Sequence, residues 1–190
     1  MAGTDDPARL QRAIDRIDEY NRADPHEREY AHSLAVTRWI TELRPDASEA
    51  LRLAGRAQHI GRWHVPRDTY PAGRLGYLRW RRDLQTFHAD ETARILEGCG
   101  YRPEFIERVR SIMHKRNLRH DPETQTLEDA LCLVFIETRL ADFQQRHDDA
   151  RLRRIIRKTW AKMSPAGHEA ALRLPVPESV RDLLERSLAS

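Results

Sequence analysis

The stretch "LRLAGRAQHIGRWH", Leu51–His64, opens as an Ala- and Leu-rich amphipathic segment and closes on a polar Gln58-His59 pair just before Ile60-Gly61. Its apolar spacing has the period of a helix, and the same period recurs on both sides of it. Upstream, Pro45-Asp46 ends a helix over about 29–43, in which Val36, Trp39, Ile40 and Leu43 face inward, and caps a third helix reaching Trp63. Asp6-Pro7 is a cap and first-turn pair for a helix through Tyr20, with Leu10, Ile14 and Ile17 as its apolar stripe.

Downstream, "HVPRDTYPAGRLGY" is the longest irregular connection, with two prolines and two glycines. A helix over about 75–96 follows, with a break expected near Phe87. Next come "RPEFIERVRSIMHKRN" and "TLEDALCLVFIETRLADFQQRH", the latter the most apolar helix and the expected centre of the core. "DARLRRIIRKTWAKM" and "PESVRDLLERSLAS" read as two closing helices joined by "SPAGHEAALRLPVP". The pattern predicts an all-α, single-domain bundle over 1–190, with a core over about 29–163 and closing helices over about 164–190.

Composition narrows the function classes. Charged residues make up 33% of the chain and mean hydropathy is −0.76, yet the formal net charge is only +3. That balance, with regular apolar spacing, argues against disorder. A pI of about 9.1 suits an anionic ligand or a nucleic acid. Cys99 and Cys132 form no Cys-x-x-Cys pattern, and neither an apolar leader nor a run of about 18 apolar residues occurs. A soluble, unexported, cytoplasmic protein with no membrane partner is expected.

Titratable residues recur at inward positions. His32 shares a face with Val36 and Trp39, His59 ends an Ala/Leu-rich helix, and His88 has Leu84 and Thr92 one turn to either side. His114 closes a helix whose Ile106, Val109 and Met113 face inward, and Asp129 stands with Cys132, Leu133 and Ile136. A shared metal would offset the burial of these five polar groups, and imidazole with carboxylate suits zinc, manganese or iron. A second cluster lies in "RWHVPRDTYPAGRLGYLRWRRDLQTFH": Arg62, Arg67, Arg74, Arg79, Arg81 and Arg82 among Trp63, Tyr70, Tyr77 and Trp80. Guanidinium grips phosphate with paired hydrogen bonds, and an aromatic face stacks a base. Lys115 and Arg116 add charge.

The ordered set resembles the HD-domain superfamily, helical proteins that bind one or two metals and often hydrolyse phosphate esters of nucleotides. His32 in "YAHSLAV", "GRAQHIGR", His88 in "FHADETARIL", His114 in "VRSIMHKRN" and Asp129 in "LEDALCL" carry the resemblance, which spans about 29–137. It implies a metal held by His32, His59, His88, His114 and Asp129. A metal-bound water would be the nucleophile, with His88 and Lys115 as candidate catalytic groups beside it. Gln58, Arg62, Arg67, Tyr70, Arg74, Tyr77, Arg81 and Arg116 are the expected substrate contacts. Gln58-His59 stands where the family carries His-Asp, which removes a bridging carboxylate.

Three functions therefore stand side by side. The first is metal-dependent hydrolysis of a phosphate ester of a nucleotide-like small molecule. The second is a non-catalytic nucleotide- or RNA-binding module that has lost the metal centre, and the third is an HD-like iron oxygenase. More narrowly, "RDTYPAGRLGYLRWRRDLQTFH" and "RKTWAKMSPAGHEAAL" resemble an uncharacterised domain-of-unknown-function family, some members of which bear the name glutamyl-tRNA synthetase. Lys162-Met163-Ser164 mimics part of a class I synthetase loop, but no βαβ core accompanies it.

Overall fold

A computed structural model describes residues 6–189; residues 1–5, where the charged N-terminus begins, and residue 190 lie outside it. Ten α-helices and no strand occur among the described residues: α1 Pro7–Arg22, α2 Glu29–Leu43, α3 Glu49–Arg56, α4 Gly73–Gly98, α5 Pro103–Met113, α6 Pro122–Thr138, α7 Leu140–Arg146, α8 Asp149–Trp160, α9 Pro165–Leu172 and α10 Glu178–Leu188. They form one compact all-α domain, as the helical period predicts.

Side-chain caps set many of the starts. Asp6, Ser48, Asp121, Asp148 and Ser164 accept hydrogen bonds from backbone N–H groups in the first turns of α1, α3, α6, α8 and α9. The cap of α3 is thus Ser48, not the expected Pro45-Asp46. At α2 the orphan N–H groups are met from further back: the Asp24 carboxylate accepts from His26, Arg28 and Glu29.

Apolar faces then bring the helices together. The main packing is of α2 against α6 and α3, of α3 against α5, and of α4 against α5. Leu51 and Leu53 of α3, Ile40 of α2, Ile112 of α5 and Leu127 and Leu133 of α6 are almost wholly buried. Each such side chain contributes roughly 1.5–3 kcal/mol by leaving water. The expected centre of the core, α6, is indeed there. A C-terminal layer of α7, α8 and α10 is held by Leu140, Leu152, Ile156, Val180, Leu183 and Leu184. At the other end Arg56 of α3 forks onto both carboxylate oxygens of Asp18 of α1, at 2.6 and 2.7 Å.

Four boundaries differ from the sequence expectation. Helix α3 stops at Arg56 instead of reaching Trp63, and residues 57–61 coil through turns into Gly61, whose φ of +64° suits only glycine well. A Cβ at Gly61 would also meet Phe87 at 2.8 Å. Helix α4 runs unbroken through Phe87, because no proline or glycine interrupts it between Gly76 and Gly98. The long apolar helix divides at Arg139 into α6 and α7. The connection "SPAGHEAALRLPVP" contains α9, started by the Ser164 cap and Pro165.

Candidate functional site

One face of α4 presents Tyr77, Trp80, Arg81, Leu84, Gln85 and His88, a helical stripe along the wall of a cavity of about 680 Å³. Helix α2 contributes Glu29 and His32 from its first turn, and Arg28 stands just before it. The turn after α3 contributes Gln58, His59 and Arg62. Helix α6 contributes Glu128, Leu131, Cys132 and Phe135, the break after it Arg139, and the chain beyond it Phe143, Ile155, Thr159 and Lys162.

Three imidazoles make the floor. His32 and His59 are stacked face to face, and the ring centroids of His59 and His88 are 5.8 Å apart. His88 Nδ1 donates to the Ile60 carbonyl at 2.6 Å, which fixes its ring to the turn after α3. His59 Nδ1 lies 3.3 Å from Glu29 Oε2. Burial holds all three rings in the neutral form: His32 falls to about 2, His88 to about 4, and His59 well below its ordinary range, where Arg62 adds repulsion. Burial raises the Glu29 carboxyl.

Polar atoms without partners collect here. His32 Nε2, His88 Nε2, Gln58 Oε1 and Glu29 Oε2 are shielded from solvent and make no hydrogen bond; Glu29 Oε2 has only the neutral His59 ring near it, at 3.3 Å. An unmet buried polar group costs about 1–3 kcal/mol, so four around one cavity point to a ligand that meets them.

The rim is cationic. Arg28, Arg62, Arg81, Lys115, Arg139 and Lys162 face two carboxylates, Glu29 and Glu128. Glu128 is almost wholly buried and takes both lysines, Lys115 in close contact and Lys162 at 3.4 Å. Excess positive charge therefore sits on the arginine side, where Arg62 has Glu29 no nearer than 4.0 Å. The Arg62 guanidinium lies over the Trp80 ring, 5.1 Å from its centroid, and Trp80 Nε1 donates to the Val65 carbonyl at 2.9 Å. These contacts hold the turn after α3 against α4.

Of the residues expected at the site, His32, His59, His88, Gln58, Arg62, Tyr77, Arg81 and Lys115 line this cavity. Asp129 does not: its carboxylate accepts from Ser164 N at 2.8 Å, Ser164 Oγ at 2.6 Å and Gln125 Nε2 at 3.0 Å, and so docks α9 on α6. Its neighbour Glu128 turns to the cavity instead. His114 does not line it either, because α5 ends at Met113 and Lys115, in the left-handed region at φ +56°, swings inward in its place. Arg116 pairs outward with Glu107 at 2.6 Å. Arg67 binds the carbonyls of Tyr70 and Pro71, Tyr70 bonds Asp83, and Arg74 is exposed on the first turn of α4, so these three shape or flank the loop and not the cavity.

Arg28, Glu29, Glu128, Arg139 and Lys162 were not singled out by sequence reasoning. Glu29 stands three residues before His32, and Glu128, Cys132, Phe135 and Arg139 follow one helical face, so a signal existed in both cases. Lys162 lies in a stretch whose sequence mimics part of a synthetase loop, which gives no pointer to this cavity.

A metal centre of the kind the resemblance implies does not fit this arrangement. Imidazole holds an ion in its own ring plane about 2 Å from nitrogen. With the His32 and His59 planes parallel and separated, no single point satisfies both rings. Among the described residues no group of three or more His, Cys, Asp or Glu side chains is placed to hold a metal ion. Among them, too, no helix is long and apolar enough to cross a membrane.

No curated protein and no solved structure matches the chain. The family model described as "Domain of unknown function (DUF4202)" matches residues 11–184, which takes in every cavity residue, and the chain belongs to that family.

Proposed function

We propose that the cavity is a binding site for a small phosphate-bearing molecule of the nucleotide class, and that it works without a resident metal. The observation that carries this reading is the unbalanced arginine side of the rim, with Arg28, Arg62, Arg81 and Arg139 around a chamber in which Glu128 is taken by two lysines and Glu29 comes no nearer than 4.0 Å to Arg62. Guanidinium groups bind phosphate in paired geometry and lose less on desolvation than ammonium does. Trp80, Leu131, Phe135, Phe143 and Ile155 offer an apolar wall for a ring.

The test is calorimetric titration of the purified protein with inorganic phosphate, nucleoside monophosphates and the parent nucleosides at two salt concentrations. Saturable binding of the phosphorylated ligands, weakened by salt and by Arg62→Ala and much weaker for the nucleosides, is expected. Absence of binding by phosphate and by every monophosphate overturns the reading.

One observation favours a second reading. The unpartnered Nε2 atoms of His32 and His88 are of the type that ligate metals, and metal-dependent hydrolysis of a phosphate ester is the activity implied by the HD resemblance. It requires His32 and His59 to unstack. Elemental analysis after growth with zinc, manganese and iron separates the two readings, since stoichiometric metal belongs only to the second.

A further inference from the structure

The floor of the cavity differs from its rim in what it offers a ligand. Because a carbonyl only accepts, the 2.6 Å contact to Ile60 places a proton on His88 Nδ1, and a neutral ring then presents Nε2 as a lone pair. Gln58 Oε1 is an acceptor by nature, and the Glu29 carboxylate is another. Gln58 and His88 are both more than nine-tenths buried, and neither of these acceptor atoms has a partner. The rim, by contrast, consists of donors and cations.

We propose that the site selects molecules with two unlike ends: a phosphate for the arginine rim and a hydrogen-bond-donating amino group for the acceptor floor. This rests on the phosphate reading above and narrows its ligand to amino-bearing nucleotides. Solvent does not reach Gln58 Oε1, His88 Nε2 or Glu29 Oε2, so a ligand group has to be inserted among them to be felt. A group lacking N–H leaves those acceptors unmet, and discrimination by a buried polar site against the analogue lacking its partner is strong.

Two matched pairs test it by calorimetry on the intact protein: adenosine 5′-monophosphate against purine riboside 5′-monophosphate, and guanosine 5′-monophosphate against inosine 5′-monophosphate. Each pair differs by one exocyclic amine. The amine-bearing member of at least one pair binds about ten-fold more tightly in the wild type, and the gap closes in Gln58→Met, which keeps volume without the acceptor. Circular dichroism confirms that this variant folds, and the wild-type comparison stands without it. Equal affinity within both pairs, or a gap unchanged in a folded Gln58→Met, overturns the proposal. Binding of inorganic phosphate with none of the four nucleotides also overturns it while leaving the phosphate site in place.

Discussion

The imidazoles of His32 and His59 are parallel to within 6°, with centroids 4.0 Å apart, and neither is aimed at a point that the other reaches. Stacking uses the faces of the two rings, whereas coordination uses their edges, so the contact that packs the floor also opposes a shared ion.

Purified wild-type protein is therefore expected to hold no stoichiometric zinc, manganese or iron. Changing Gln58→His together with His59→Asp removes one member of the stack and introduces the His-Asp pair that the HD resemblance implies, and it should raise metal content. Stoichiometric metal in the wild type that disappears in His32→Ala would show the stack to be broken in solution.

Loss of the Arg62 guanidinium removes a charged hydrogen-bond donor at the rim, worth roughly 1.5–3 kcal/mol and so about ten- to hundred-fold in affinity for a phosphorylated ligand. Arg62→Lys recovers part of this, since it restores charge without the planar group that lies over Trp80. Arg67→Ala, outside the cavity, should alter loop order and leave affinity near wild type. An affinity that falls equally for Arg62→Lys and Arg62→Ala would assign the effect to the Trp80 contact alone.

Nitrogen-resolved NMR should find His88 neutral at pH 5.5, protonated on Nδ1, with His32 neutral beside it. Burial depresses both rings, so the neutral state belongs to the fold. Stability is full above the ordinary histidine value of 6.5 and falls as pH drops from there toward the value of about 4 for His88. Imidazolium signals from either ring above pH 6 in the folded protein would contradict this.

At Glu128 burial disfavours charge, but Lys115 and Lys162 outweigh it and hold the carboxyl below its ordinary 4.5. The pair stabilises the fold above that pH, and the contribution is lost as pH falls through the lowered value. Glu128→Gln should cost about 1–3 kcal/mol at pH 7, where it leaves Lys115 poorly matched, and much less at pH 3. Urea denaturation at the two pH values measures both; a cost that does not shrink in acid would locate the effect in packing.

Asp129→Ala should destabilise the fold by about 1–3 kcal/mol, because Ser164 N and Oγ lose their acceptor, while ligand affinity stays unchanged. Gly167→Ala should act on the same joint, since its Cβ would come 2.7 Å from Asp129 Oδ1. Loss of ligand binding in a well-folded Asp129→Ala would instead return Asp129 to the site.

The helical period made the fold class legible, and inward positions singled out His32, His59 and His88, which do share one cavity. The failures came from steps of a single residue. On α6 one position is 100° of rotation, so choosing between Glu128 and Asp129 needed the direction of the partner helix, and that depends on α9, whose start at Ser164 was hidden inside an apparent connection. Between His114 and Lys115 the decision rests on a left-handed residue other than glycine, for which periodicity gives no warning. Arg139 reaches the cavity at the break between α6 and α7, where the apolar pattern continues across the interruption.

Because α4 is one unbroken helix, Arg81 at the rim and His88 at the floor are fixed on a single rod. Seven residues at 1.5 Å each set their levels about 10 Å apart along the axis. That separation is a ruler: a molecule touching both marks has to be about as long, and a bare phosphate touches only the first.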